Sequence, residues 1–512
     1  MPVNILLYYR LVVLSLSISI SIGPLLMGCT PAQIAQPTTE VKTAPVPLRN
    51  AWNPAIQSDP NGYLYLSYYG RFGDDSDSLY FNRSLDGGTT WLTEPIRIDS
   101  VRVGTRGTRF GFQRVDTNGQ GVVSVTWSVE RKTDKFWRVQ EVRRQRSRDF
   151  GATWPDSHLA WRFELPSNYP VPGSGAEGEG YLVWVEKGGA NGANKLLFNR
   201  TSPGGDAWSK APIALRQHGG HTKLSDAGTR RLPSRPSEIG WPTLATDGRG
   251  RLYLAWQEVL ARGGSRIFFN RSLDGGQTWL EAAPSLSTSS RSKTARMPRV
   301  SFDGAGGVYV VWEDTRDTNT NLYFNRSWDQ GTTWLPEDLR LTVDQPPLTH
   351  SFNPAISSDR SGRLYLAWYE HRDAPYSLYF NRSDDRGRTW FPHPIRLDHH
   401  GKDAKSYGLQ LWNDDAGHVY IVWLERGEKE DSIRFNRSSD YGATWLDADV
   451  RIDSGSAGIG KRGLLYPRMS ADTTGKLYIV WSGDRGGEYR LSLNRSTDYG
   501  TTWLSREIPI TR

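Results

Sequence analysis

One pattern, Asn-Arg-Ser-x-Asp-x-Gly-x-Thr-Trp, recurs along this chain and leaves few folds open to it. Its Ser-to-Trp box runs from Ser84 to Trp91, and again at Ser272…Trp279, Ser327…Trp334, Ser383…Trp390, Ser438…Trp445 and Ser496…Trp503. Ser147…Trp154 keeps the box without the leading Asn-Arg, while Thr201…Trp208 keeps Asn199 and Arg200 but has Pro203 in the aspartate position. The eight copies are spaced by 63, 54, 71, 55, 56, 55 and 58 residues. A period of this length signals stacked or radially arranged units, each unable to bury its own apolar faces alone.

Within a unit the hydrophobic period is two. Leu64-Tyr65-Leu66-Ser67-Tyr68 and Val419-Tyr420-Ile421-Val422-Trp423 read as strands. A shorter strand precedes the box, as in Leu378-Tyr379-Phe380, and another follows it, as in Ile395-Arg396-Leu397. No helical period intervenes. Four short antiparallel strands per unit, repeated eight times, predict an all-β chain folded as a β-propeller of four-stranded blades. Eight blades are expected, or seven if a degenerate unit fails to form a sheet. The first unit starts at strand one and the last ends at strand four, so the ring closes without a split blade.

The repeat also explains a composition rich in tryptophan, with 21 in 512 residues. Eight close the boxes, and seven more (Trp127, Trp184, Trp256, Trp312, Trp368, Trp423, Trp481) end strand two, where the first unit has Tyr68. A mean hydropathy of −0.58 excludes a polytopic membrane protein, and the single cysteine excludes an internal disulfide.

Ser-x-Asp-x-Gly-x-Thr-Trp resembles the Asp box, or BNR repeat, of the sialidase-like propeller superfamily, over about residues 50 to 512. In that family the box is a structural turn between strands three and four, so it marks fold rather than activity. Asp and Ser satisfy turn hydrogen bonds, Gly takes a left-handed angle, and Trp folds back between sheets. The seven Asn-Arg-Ser/Thr triplets (Asn82, Asn199, Asn270, Asn325, Asn381, Asn436, Asn494) match a glycosylation acceptor, but their fixed place in the repeat assigns them to turn packing.

Residues 1–28 read as an export signal. Arg10 precedes an apolar stretch from Leu11 that Ser15, Ser17, Ser19 and Ser21 interrupt, ending Leu26-Met27-Gly28-Cys29. That ending resembles the lipobox of bacterial lipoproteins, which implies lipidation of Cys29. Residues 29–49, rich in Thr, Pro, Ala and Gln, form a flexible tether, and residues 50–512 form the propeller. The expected location is the cell envelope, lipid-anchored, at the outer membrane in a Gram-negative cell, as Thr30 follows the cysteine.

A propeller's ligand site is expected at its central mouth, on the face opposite the Asp boxes. Aromatics enter strand one at Trp52, Tyr169, Trp241, Tyr407 and Tyr466, and arginine occupies a matched strand-one position at Arg114, Arg299 and Arg468. Carboxylates recur after strand two at Glu130, Glu186, Glu258, Asp314, Glu370, Glu425 and Asp484. Rings, guanidinium forks and carboxylates around one opening suit a sugar, above all an acidic one; ion pairing within and between blades explains the carboxylates equally well. Trp52, Arg114, Tyr169, Trp241 and Arg468 are the candidate ligand-binding residues.

The sialidase resemblance implies a catalytic set that this chain matches only in part. Arg296-Met297-Pro298 is similar to the family's arginine strand but lies in unit five, and Tyr466 sits where the family's nucleophile does. Arg296, Arg299 and Tyr466 are therefore weak catalytic candidates. Residues 102–148 carry twelve Lys/Arg against four Asp/Glu, and the difference, 12 − 4 = +8, equals the net charge of the chain. That excess is either a solvated face or a dock for anionic glycans or headgroups. No metal cluster, cofactor motif or nucleic-acid partner is expected. Two functions remain: a surface-tethered sialidase-like module that binds a glycan or protein at its mouth, or an exo-acting glycoside hydrolase of sialidase type.

Overall fold

The computed structural model describes residues 48–511 except 73–76, 100–107, 134–135, 156–158, 188–193, 218–237, 261–262, 289–293, 343–348, 372–375, 400–403, 429, 455–458, 466 and 473. Cys29 and Tyr466 lie outside the described residues, as do most of the connectors near 101–110 and 209–238 that make the 63- and 71-residue spacings the longest. The chain is an eight-bladed β-propeller of antiparallel sheets. Blade six is typical, with strands His350–Ser358, Leu364–His371, Ser377–Ser383 and Ile395–Arg396 in sequential order from axis to rim. Among the described residues the sole helical element is a three-residue 3-10 turn, Pro203–Gly205, where Pro203 displaces the box aspartate.

Four units depart from the expected four separate strands. Leu159–Ser174 serves both as outer strand of blade two and inner strand of blade three, fusing these blades into one seven-stranded sheet. Blade four has three strands, its fourth reduced to a bridge between Phe268 and Ser285. In blade eight the inner strand is split into Ile459–Leu464 and Arg468–Ala471.

The box builds the joints between blades. In blade seven, Ser438 Oγ donates to Asp440 at 2.7 Å and accepts from Gly442 N at 2.8 Å, while Asp440 accepts from Thr444 N at 2.8 Å and Thr444 Oγ1 at 2.6 Å. In blade eight the Thr502 hydroxyl and N–H, with Ser496, hold the Asp498 carboxyl down at about 2. Trp445 then meets Phe380 of blade six edge-on, ring centroids 4.7 Å apart. The same pairing joins Phe81 to Trp154, Phe269 to Trp334, Phe324 to Trp390 and Phe435 to Trp503. Gly442 lies over that phenylalanine: it has φ +80°, and a Cβ there would come 2.7 Å from Phe380 Cζ. Glycine is thus required twice, for its backbone angle and for ring contact.

The Asn-Arg-Ser triplets are turn packing, as their register implied. Asn381, buried, donates to Phe391 O at 2.9 Å and accepts from Arg382 N at 2.7 Å. Arg382 reaches the next blade, donating to Tyr441 O at 2.8 Å. Arg83 does the same to Phe150 O at 2.7 Å, and Arg495 closes the ring on Thr89 Oγ1 of blade one at 2.8 Å. Ser58 and Ser470 Oγ, 2.8 Å apart, join blades one and eight near the axis.

The unit-two cations are largely spent on this architecture. Arg144 is fully buried, donating to Ser124 Oγ at 2.9 Å and Gly178 O at 3.0 Å, and burial pushes it down to about 10. Arg143 pairs with Glu141, and Arg146 and Arg148 share Asp206 of blade three. Much of the apparent basic patch is inter-strand and inter-blade glue.

Candidate functional site

Six inner strands are kinked at the same height. The register slips by a two-residue bulge between Trp52 and Ala55, Asn168 and Val171, Gly240 and Thr243, Arg296 and Arg299, Phe352 and Ala355, and Tyr407 and Gln410. In five of these the second bulge residue is proline (Pro54, Pro170, Pro242, Pro298, Pro354). Its missing N–H is no loss where the ladder is already interrupted. The first bulge residue has left-handed φ: Asn53 at 50°, Tyr169 at 53°, Trp241 at 51°, Met297 at 53°, Asn353 at 54° and Gly408 at 66°.

Below the bulges the inner strands enclose an axial cavity of about 170 Å³. At roughly 30 Å³ per water this is space for about six waters, enough for a small ion or one end of a sugar. Arg114, Arg299 and Arg468 all line it. Each pairs with the residue just before the strand-two Trp, namely Thr126, Val311 and Val480. Trp241 also lines the cavity, half-buried, with its ring centroid 5.0 Å from that of Tyr169. Trp52 packs instead on Tyr69, at 6.5 Å. Three lining residues were not singled out from sequence: Gln113, Gln410 and Trp412. Gln410 shares the register that marked the arginines, and Gln113 precedes Arg114 on the same strand. Gln113 donates through Nε2 to Ser67 O at 3.1 Å, while its buried Oε1 has no partner.

The carboxylates beyond strand two are structural. Glu258 pairs with Arg216 at 3.2 Å, Asp314 with Arg316 at 2.7 Å, Glu425 with Arg434 at 3.0 Å and Glu130 with Arg109 at 2.8 Å. Glu370 accepts from Trp368 Nε1 at 3.2 Å, and Asp484 from Gly487 N at 2.7 Å. Among the described residues that line the cavity there is no Asp or Glu.

Arg296 is likewise committed: its Nε donates to Glu313, wholly buried, at 2.8 Å. Glu313 also accepts from Asn353 N, at the bulge of the next blade, at 2.7 Å. The same strand-two position staples other blades, through Tyr69 OH to Phe112 O at 2.9 Å and Leu409 N to Tyr369 OH at 2.6 Å. Arg296 and Arg299, close in sequence, therefore do different things: one holds, within blade five, the carboxylate that reaches blade six, and the other lines the channel.

No protein-family model matches the sequence, and no curated protein matches it. Among solved structures, the chain is similar to an ulvan lyase, a polysaccharide lyase, at 12% identity and TM-score 0.47, over 88% of this chain and 94% of that one. It is also similar to a Hadza microbial sialidase (18% identity, TM-score 0.33, over 73% and 63% of the two chains). A third is an α-L-arabinanase of Penicillium chrysogenum (14% identity, TM-score 0.34, over 65% and 93%). The propeller assignment stands on the eight blades themselves.

Proposed function

We propose that this propeller binds carbohydrate at its central mouth without cleaving it, as a lipid-tethered module of the cell envelope. One observation carries the binding reading: Tyr169 and Trp241, neighbours on blades three and four, hold left-handed backbone angles, as Met297 does on blade five, where the other equivalent blades place Asn53, Asn353 or Gly408. Bulky residues pay about 1–3 kcal/mol for such a conformation, whereas Gly and Asn adopt it readily. Two aromatics kept there against local preference, in mutual contact and beside the cavity, make a platform for the apolar face of a sugar ring. The binding-only reading is supported by the mouth carboxylates, whose described partners are cations, an indole, a hydroxyl or backbone N–H groups of the protein itself; a general acid needs free reach to the scissile oxygen.

Trp241→Asn tests this. The variant is expected to lose glycan binding by tenfold or more, since a large ring contributes ~1.5–3 kcal/mol on burial. Its stability should be unchanged or raised, because Asn tolerates the bulge angle. A glycan array followed by titration of the best oligosaccharide reads the first, and urea unfolding the second. Unchanged binding, or a variant that unfolds, would overturn the platform. Turnover of a fluorogenic sialoside that Arg296→Ala and Tyr466→Phe both abolish would replace binding by hydrolysis.

The tether is proposed from sequence: Leu26-Met27-Gly28-Cys29 for lipid attachment and Thr30 to Pro47 for reach. Metabolic labelling with a fatty-acid probe should mark the protein and not Cys29→Ala; equal labelling of both would remove the anchor.

A further inference from the structure

The basic excess of unit two is not all spent on the framework, and part of what is left sits on one hairpin. Val123–Thr133 and Phe136–Ser147, the second and third strands of blade two, have 11 and 12 residues, where the corresponding strands of the other blades reach at most 10 and 9. Their ladder runs past Trp127 as far as Thr133, on the mouth face and opposite the box turns. Arg131 and Arg138 are direct partners across this hairpin, and Lys132 is the partner of Trp137. Arg131 and Lys132 are exposed, and among the described residues no carboxylate pairs with either.

Like charges directly opposite each other on one face of a sheet repel, so Arg131 against Arg138 costs the hairpin stability. The neighbouring groups hold the hairpin in shape: Arg109 Nε donates to Glu130 at 2.8 Å, and its guanidinium carbon lies 4.3 Å from the Trp137 ring centroid. Arg109 is therefore committed to the arm, whereas Arg131 and Lys132 are not. Two guanidinium groups held on one face of a braced arm, against their mutual repulsion, suit oxyanions.

The arm also touches the aromatic platform. Val139, the residue after Arg138, pairs with Ser167 on the strand shared by blades two and three, two residues before Tyr169. At about 3.3 Å per strand residue and about 4.8 Å between strands, the Cα atoms of Arg138 and Tyr169 lie within roughly 15 Å of each other. That distance is within the reach of one oligosaccharide. A lipid surface fits less well, since headgroup recognition takes clusters of about four to eight Lys/Arg, and this arm offers fewer.

We propose that the hairpin arm of blade two is an outer subsite for acidic polysaccharide. Arg131 and Arg138 hold a carboxylate or sulfate of a chain whose neighbouring ring lies on Tyr169 and Trp241, and Lys132 adds to the positive field. The inference rests on the carbohydrate reading and names its substrate class.

The experiment is calorimetric titration of the full chain with two matched pairs of probes, oligogalacturonate with its methyl ester and dextran sulfate with dextran, at low and high salt. In at least one pair the charged member is expected to bind about tenfold tighter than its neutral twin, a preference that shrinks as salt screens the arm. Arg131→Thr and Arg138→Gln should each lower that preference about tenfold, while Arg360→Gln, which removes an exposed charge from a turn on the opposite face, should not. Arg131→Thr should melt no lower than the wild type, because it relieves a repulsion. The proposal is overturned by equal affinity within both pairs, by equal loss in Arg360→Gln, or by an Arg131→Thr variant that melts lower or fails to fold. Binding to phosphatidylglycerol vesicles in place of either charged glycan would give the arm to a membrane surface and overturn it as well. The two readings fail differently. If glycans bind without preference for charge, and Trp241→Asn abolishes that binding, this inference alone fails. If charged glycans bind and Trp241→Asn weakens none of them, the platform fails and the arm stands without it. If no glycan binds, both fail.

Discussion

Phe380→Ala is expected to destabilise the propeller by about 3–5 kcal/mol, the cost of deleting a large buried ring whose site cannot collapse. Phe380 is 1% exposed and held on two sides by the next blade, with Gly442 against its edge and Trp445 at 4.7 Å. Neither can move inward to fill the gap, because Gly442 belongs to a turn locked by Ser438 and Asp440. Trp445→Ala should cost nearly as much. A double-mutant cycle between the two should return coupling of about 0.5–1.5 kcal/mol for the edge-on pair. Urea unfolding followed by tryptophan fluorescence measures both. A loss under about 1 kcal/mol for Phe380→Ala would mean that the box turn, not the ring it clasps, joins the blades.

Glu313→Ala is the second large effect, again about 3–5 kcal/mol, because removing one partner of a buried ion pair leaves the other charged and unpaired. Here two groups are stranded, the Arg296 guanidinium and the Asn353 N–H of blade six. Glu313→Gln keeps the shape and an acceptor, and should cost less than half as much. The damage should be confined to stability: Arg296 anchors the carboxylate that joins blades five and six, so sugar binding at saturating protein should survive in Glu313→Gln. Equal loss in both variants would show that the charge, not the hydrogen-bond geometry, holds this joint. Loss of binding in Glu313→Gln would return Arg296 to the site.

Some features were readable because they repeat. Eight boxes at near-constant spacing demand eight equal turns, and strands of period two between them demand sheets. The matched register of Arg114, Arg299 and Arg468 was visible by alignment on the strand-two tryptophan, because pairing in an antiparallel ladder is local. What each arginine does was not visible. Arg114 meets Asp116 two residues on, Arg296 meets Glu313 across the hairpin, and Arg299 has no carboxylate partner among the described residues. Three positions separate the anchor of Glu313 from the channel residue, because the bulge at Met297-Pro298 turns the strand between them.

The departures from regularity were hidden for a related reason. Fusion of blades two and three through Leu159–Ser174 depends on where one strand continues past its own blade. The basic run of unit two read as surface because charge counts carry no information about partners 60 residues away, such as Asp206 for Arg146.

By itself, then, the sequence determined the repeat of eight units, the strand order, the turns and the tryptophans that wedge them, all of which follow from short-range period and spacing, and it left seven or eight blades open. Only the tertiary structure decided which side chains face the axis, which charges are satisfied, and which aromatics sit at a strained angle beside the cavity. The physical reason is closure. Eight blades brought round one axis set residues hundreds of positions apart within a few ångströms, and the balance of burial against pairing at that axis is settled only when the ring is complete.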